Sequence, residues 1–240
     1  MDLLVERDGP VTLLTLNRPD KANALSSDLI EALLATVSEA HRDGTRLLVL
    51  SGAGKNLSAG FDFTDFENAS EAELVLRFVR IEQLLQAVYH APFATLALAH
   101  GRNFGAGVDL FAACGIRIAA PETTFRLPGL QFGVQLGTRR LAHRVGADHA
   151  RALLAASKVV SAPHALSIGL AQRRAPRERW AEEILAERER ATTLGAEAVA
   201  RLNAATSLDT RAQDMADLVA SVAAPGLKDR IRTYRAAHAK

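Results

Sequence analysis

Two glycine-rich turns hold the residues whose types and spacing could support chemistry. The first is Gly52-Ala53-Gly54-Lys55-Asn56-Leu57-Ser58-Ala59-Gly60-Phe61-Asp62, directly after the run Leu47 to Ser51. The second is Gly101-Arg102-Asn103-Phe104-Gly105-Ala106-Gly107-Val108-Asp109, directly after Thr95 to His100. Glycine lets backbone come close to another group. A helix starting inside the second turn leaves free amides, which attract negative charge. Amides from two such turns can converge on one oxygen, which is how an oxyanion hole is built. Tight turns and close packing account for the same glycines equally well.

Other chemistries fail on spacing. A phosphate loop ending at Gly54-Lys55 needs a glycine where Val49 stands and a Ser or Thr where Asn56 stands. Gly105-Ala106-Gly107 opens a dinucleotide fingerprint, but its third glycine position holds Leu110. Ser58, in Ser-Ala-Gly, lacks the glycines of a nucleophile elbow. One Cys and scattered His residues, among them His143 and His149, give no zinc spacing.

The elements that must carry these turns alternate. Leu3 to Glu6 and Val11 to Leu16 read as a hairpin about Asp8-Gly9-Pro10. A helix over about 28–42 follows, capped from Ser26-Ser27-Asp28, with Leu29, Leu33, Leu34 and Val37 on one face. Continuous apolar runs at Leu47 to Leu50 and Thr95 to Ala99 suit strands buried on both faces, with a helix over about 71–90 between them. Ile116 to Ala119 and Thr124 to Leu127 add strands. The pattern predicts an α/β layered domain. Beyond it, helical periodicity runs over about 137–157, 161–168, 176–203, 208–221 and 226–238. The division expected is a core over 1–195 and a helical region over 196–240. The tail's apolar stripe must pack on the core or on a neighbouring subunit.

The chain has 240 residues, 48% hydrophobic and 23% charged, with a formal net charge of +2. That excludes a disordered chain, and the single Cys excludes a disulfide-stapled one. Lys and Arg are interspersed with Asp and Glu, so no nucleic-acid stripe is expected. No apolar run reaches the roughly 18 residues of a membrane span, and no signal sequence opens the chain. With the lone Cys114, a soluble protein of the reducing cytoplasm is expected.

The motifs resemble the crotonase, or enoyl-CoA hydratase/isomerase, superfamily. The resemblance is carried by Asn17-Arg18-Pro19-Asp20-Lys21-Ala22-Asn23-Ala24-Leu25, by Ser51 to Asp62, by Gly101 to Asp109 and by Phe125 to Gly133. Gly137-Thr138-Arg139-Arg140-Leu141 and Ser161 to Leu170 extend it. It implies a spiral of repeated ββα units with a C-terminal helical trimerisation region. It implies an acyl-CoA thioester as substrate, no cofactor apart from the CoA moiety, no metal, and a homotrimer or hexamer. The amides of Phe61 and Ala106 would form the oxyanion hole. Lys21, Ala22, Ala59 and Phe61 would contact CoA, with Lys21 reaching the nucleotide phosphates.

The sequence departs from the family's hydratases where the chemistry is done. Hydration benefits from two carboxyl groups, one for water and one for the proton at the α carbon. The first of the family's glutamates falls at Asp109; the second falls at Gly129, which cannot transfer a proton. Asp109 also suits a helix start for electrostatic reasons alone. The loop from Gly133 to Gly137 is shorter than the hydratase pattern, so the floor of an acyl pocket should differ. Arg126 is open to pairing with Asp109 or with an acidic acyl group. Asp62 and Asp65 read as loop or cap residues, His100 as a buried strand end, and Trp180 as core. The expectation is an acyl-CoA enzyme with one acid/base carboxyl and doubtful hydratase activity, suited to double-bond migration, decarboxylation or thioester hydrolysis. A non-catalytic acyl-CoA binder is the alternative.

Overall fold

In the computed structural model, which describes residues 1–238, the apolar runs form one sheet. β1 (Leu3–Asp8) pairs antiparallel with β2 (Val11–Leu16), and Gly9 turns the chain at φ +55°. α1 (Ser27–Ala40) is capped by the Ser26 hydroxyl, which accepts from Leu29 N–H. β3 (Leu47–Gly52) then lies parallel to β2. α2 (Glu71–Tyr89) begins with a reciprocal Ser70–Glu73 capping box. β4 (Ala94–Ala99) runs parallel to β3. β5 (Arg102–Phe104), α3 (Ala106–Ala113), β6 (Ile116–Ala119) and β7 (Thr124–Arg126) follow. The main sheet has six strands, ordered β1-β2-β3-β4-β6-β9, where β9 is Arg173–Arg174. A second sheet joins β5, β7 and β8 (Val160–Ser161).

Side chains of β3 alternate between two cores. Leu48 and Leu50 face the large cluster shared with α1, α2 and α3. Leu47 and Val49 face a smaller cluster with Leu96, Leu98 and Trp180. The continuous apolar runs therefore mark strands covered on both sides, and Trp180 is core as expected.

The helical half is more broken than its periodicity suggests. The segment 137–157 is two helices, α4 (Thr138–Val145) and α5 (Ala147–Ala156), separated by Gly146 at φ +81° and ψ +156°. After α6 (Ala162–Ser167), the segment 176–203 divides into α7 (Trp180–Thr193) and α8 (Ala196–Thr206) about Leu194 and Gly195, both extended. α9 (Arg211–Val222) and α10 (Leu227–His238) end the described chain. Their stripe, Leu218, Val222, Leu227 and Ile231, is fully buried in the large cluster of this same chain. Of the two coverings expected for that stripe, the chain's own core supplies it. The stripe therefore makes no demand for a neighbouring subunit. Among the described residues no helix is long and apolar enough to cross a membrane.

Candidate active site

The two glycine turns meet backbone to backbone. Gly60 has φ +82°; a Cβ there would fall on the Phe104 carbonyl oxygen and lie 3.1 Å from Ala106 N. A Cβ on Gly107 would come within 2.5 Å of the Ser58 carbonyl oxygen. The glycines permit this close approach, which brings Ala106 N beside Gly60. Buried asparagines hold the contact. Asn103 Oδ1 accepts from both Leu57 N–H and Ser58 N–H, while its Nδ2 donates to the His100 carbonyl. Asn23 Nδ2 donates to Ala53 O and Asn56 O, and Ser58 Oγ donates to Asn23 O. Sequence reading passed over Asn23 and Asn103; polar residues amid glycines were the available signal.

Above this joint lies a cavity of about 200 Å³ lined by Ala59, Phe61, Ala106, Asp109 and Gly129. Phe61, Ala106 and Asp109, three residues singled out from the sequence, therefore share one space. Ala106 is the first residue of α3, so its N–H has no partner within the helix. Among the described residues, neither Phe61 N–H nor Ala106 N–H donates to a protein acceptor.

Asp109, in the first turn of α3, is buried at 6% exposure, and among the described residues no donor reaches its carboxyl. Burial raises its pKa to about 8, opposed by the nearby Arg140 guanidinium and assisted by Glu82. Gly137, with φ +62°, makes the room: a Cβ there would land on the Asp109 carboxyl. Arg140 is spent on a buried network. It pairs with Glu82 of α2, and its Nη1 lies 3.1 Å from an Asp214 oxygen of α9. Among the described residues, two other polar side chains line the cavity, Thr138 and Tyr234. Thr138 Oγ1 is buried without a partner, and burial raises the Tyr234 pKa.

Position 129 faces the same cavity and carries no side chain. Gly129 is not in the left-handed region; its constraint is steric, since a Cβ would lie 2.9 Å from the Val134 carbonyl oxygen. Val134 and Leu136, from the shortened loop, form part of the wall.

The remaining residues lie apart from the cavity. Arg126 pairs with neither Asp109 nor the cavity interior; its Nε donates to Ser157 O at 2.9 Å. Asp62 accepts from Thr64 N–H and from Arg18, a turn and an ion pair at 2.7 Å. Asp65 sits outside, at φ +59°. His100 is buried at the end of β4, its ring nitrogen 3.0 Å from Gly54 O. Lys21 is exposed beside Ala22, whose carbonyl accepts from Ala59 N–H at 2.9 Å. Lys21 and Ala22 do not line the cavity but are joined to it through Ala59. His143 and His149 are exposed, and among the described residues no three His, Cys, Asp or Glu side chains converge as metal ligands.

Residues 6–223 match the family model described as Enoyl-CoA hydratase/isomerase. A protein of Mycobacterium leprae described as a probable enoyl-CoA hydratase is 32% identical over 191 residues, 75% of each chain. One of Bacillus subtilis, described likewise, is 35% identical over 167 residues, 67% of this chain and 64% of its own. The crystal structure of a candidate enoyl-CoA hydratase/isomerase of Bordetella parapertussis is 50% identical, covers 98% of both chains and superposes with a TM-score of 0.96. An enoyl-CoA hydratase of Bacillus halodurans, only 20% identical, shares the fold at a TM-score of 0.86, covering 97% of this chain and 100% of its own. The chain belongs to the enoyl-CoA hydratase/isomerase family, and its fold is that of the crotonase superfamily.

Proposed function

We propose that this protein moves a double bond within an enoyl-CoA thioester, using one carboxyl group for both proton transfers. The observation that carries the reading is that, among the described residues, Asp109 is the one carboxyl lining the cavity that Phe61, Ala106 and Gly129 also line. In a 3-enoyl thioester the Asp109 carboxylate takes a proton from C2. The C2–H electrons move into the C2–C1 bond, and the negative charge settles on the thioester oxygen. The Phe61 and Ala106 N–H groups stabilise that oxygen; one such donor is worth about 2.7–4 kcal/mol. Asp109 then returns the proton at C4 and the double bond lies between C2 and C3. No water takes part, so the absence of a second carboxyl costs nothing. Hydration needs a group to activate water, and losing one typically lowers rates roughly 10²–10⁴-fold. An acidic acyl group, as a decarboxylase would bind, finds no cation among the described residues that line the cavity.

A raised pKa suits this task, because the proton must be both taken and given back near neutral pH. Lys21 and Ala22 lie beside Ala59, where the CoA moiety would leave the cavity. The reading brings with it a cytoplasmic location and a homotrimer or hexamer. Sedimentation velocity at micromolar concentration tests the assembly, and a monomer refutes it.

The discriminating experiment compares isomerisation of 3-hexenoyl-CoA with hydration of crotonyl-CoA. Isomerisation is expected to exceed hydration by at least tenfold. Faster hydration refutes the one-carboxyl mechanism. Tight thioester binding with neither turnover returns the protein to the non-catalytic binders.

A further inference from the structure

The cavity wall is unusually aromatic. Of the nine Phe in the chain, five (Phe61, Phe63, Phe78, Phe104 and Phe132) line it, joined by Tyr234. They come from separate parts of the chain, including α2, β5, the single turn Gly129–Phe132 and α10. Phe61 is stacked on Phe78 at 4.2 Å with 14° between planes and lies 5.0 Å from Phe63, whose ring has the Arg235 guanidinium 5.6 Å from its centroid. Phe63 and Phe132 stand nearly perpendicular to each other, 77° apart with centroids 6.2 Å apart, and Tyr234 lies 5.1 Å beyond Phe132.

We propose that the acyl group received here is an aryl one, a short chain bearing a phenyl ring. The proposal rests on the reading that this cavity holds the acyl group of a CoA thioester. A planar ring lying along either Phe63 or Phe132 stands edge-on to the other. Where such a ring touches both, one contact is offset-stacked and the other edge-to-face, the two arrangements aromatic pairs favour. The cavity of about 200 Å³ is of the right size, since a hydrocarbon-lined cavity of about 150 Å³ accepts benzene. Among the described residues its lining holds no Lys, Arg or His, which favours an acyl group without a carboxylate. A saturated ring of the same shape buries similar area but lacks the quadrupole, which makes it the proper comparison.

The test is calorimetric titration with 3-phenylpropanoyl-CoA, 3-cyclohexylpropanoyl-CoA and acetyl-CoA. Ring–ring contacts are worth enough to favour the phenyl compound over the cyclohexyl one by about tenfold. Phe63→Leu and Phe132→Leu are each expected to lower that ratio to about threefold while the cyclohexyl affinity holds within twofold. Equal wild-type affinities for the two rings overturn the aryl proposal and leave the acyl-CoA reading standing. If neither ring compound binds more tightly than acetyl-CoA, the cavity is not an acyl site and both fail. The wild-type ratio decides even where a variant does not fold.

Discussion

Replacing Asp109 by Asn removes a charge that the fold does not solvate. The carboxyl is buried without a protein donor and its pKa is pushed from 3.8 to about 8. The folded state therefore keeps its proton over four pH units in which the unfolded chain has lost it. Stability owed to this group is complete below about pH 4 and is lost as the pH rises through 8. Each unit is worth about 1.36 kcal/mol, so the wild type surrenders up to about 5–6 kcal/mol by pH 9. That is a ceiling, because the cavity admits water. Asn matches the protonated carboxyl in shape and does not titrate. The variant is therefore expected to equal the wild type near pH 4 and to exceed it by about 3–5 kcal/mol at pH 9. Urea unfolding of both proteins at fixed concentration, at steps from pH 5 to 9, reads the difference directly. A constant gap across that range would refute the claim that Asp109 is buried and proton-bearing. The same variant should lose isomerase activity, making this a site where stability and turnover oppose each other.

In wild type, kcat/KM for a 3-enoyl thioester should climb with pH through 8 and level off about a unit above it, since the carboxylate is the base; a flat profile from pH 6 to 9 excludes that role. Ala106→Pro should lower kcat roughly 10²–10³-fold, because proline fits the first position of α3 but has no N–H, whereas Ala106→Gly keeps the donor and most of the rate. Equal losses in the two would argue against a backbone donor there. Gly129→Glu should cost about 1–3 kcal/mol of stability by crowding the Val134 carbonyl, and raise slow crotonyl-CoA hydration about tenfold by supplying a second carboxyl. Hydration unchanged in a folded variant removes position 129 from the chemistry. Arg140→Met should destabilise by about 3–5 kcal/mol, leaving Glu82 and Asp214 buried without their cation, and should move the pH–rate curve upward as Asp109 loses its attraction. A downward shift would show that Arg140 does not act on Asp109.

Much of the fold was legible because its signals are local. Runs such as Leu47 to Leu50 suit strands covered on both faces, and Ser26 and Ser70 cap the helices they precede. Breaks inside helical periodicity were missed at Gly146 and at Leu194–Gly195, where apolar spacing continues across the interruption. The two-residue strands β8 and β9 carry no pattern of their own and exist through their partners. At the site, the two turns could be read from glycine spacing. The raised Asp109 pKa could not, because it depends on burial and on Glu82 arriving from another helix, against the pull of Arg140. Nor could the aromatic wall, since nothing in the order of the chain relates Phe63 to Tyr234. Arg126 and Asp109 are close in sequence, yet Arg126 turns to Ser157.

The contact through Gly60 and Gly107 has a consequence for how such a chain can be altered. The groups that would polarise a substrate are written in main chain, and what protects them is the lack of a side chain at two positions. Any residue larger than hydrogen there pries the turns apart, whatever its chemistry. The ring-bearing positions 63, 78, 132 and 234 obey no such constraint. Their side chains can be exchanged for others of similar volume without moving a turn. A library built at those four positions would therefore sample new acyl preferences on an unchanged reactive frame. The same library moved to 60 and 107 would return only unfolded or inert proteins. On the proposed reading, substrate choice and reactive geometry are separately heritable in this chain.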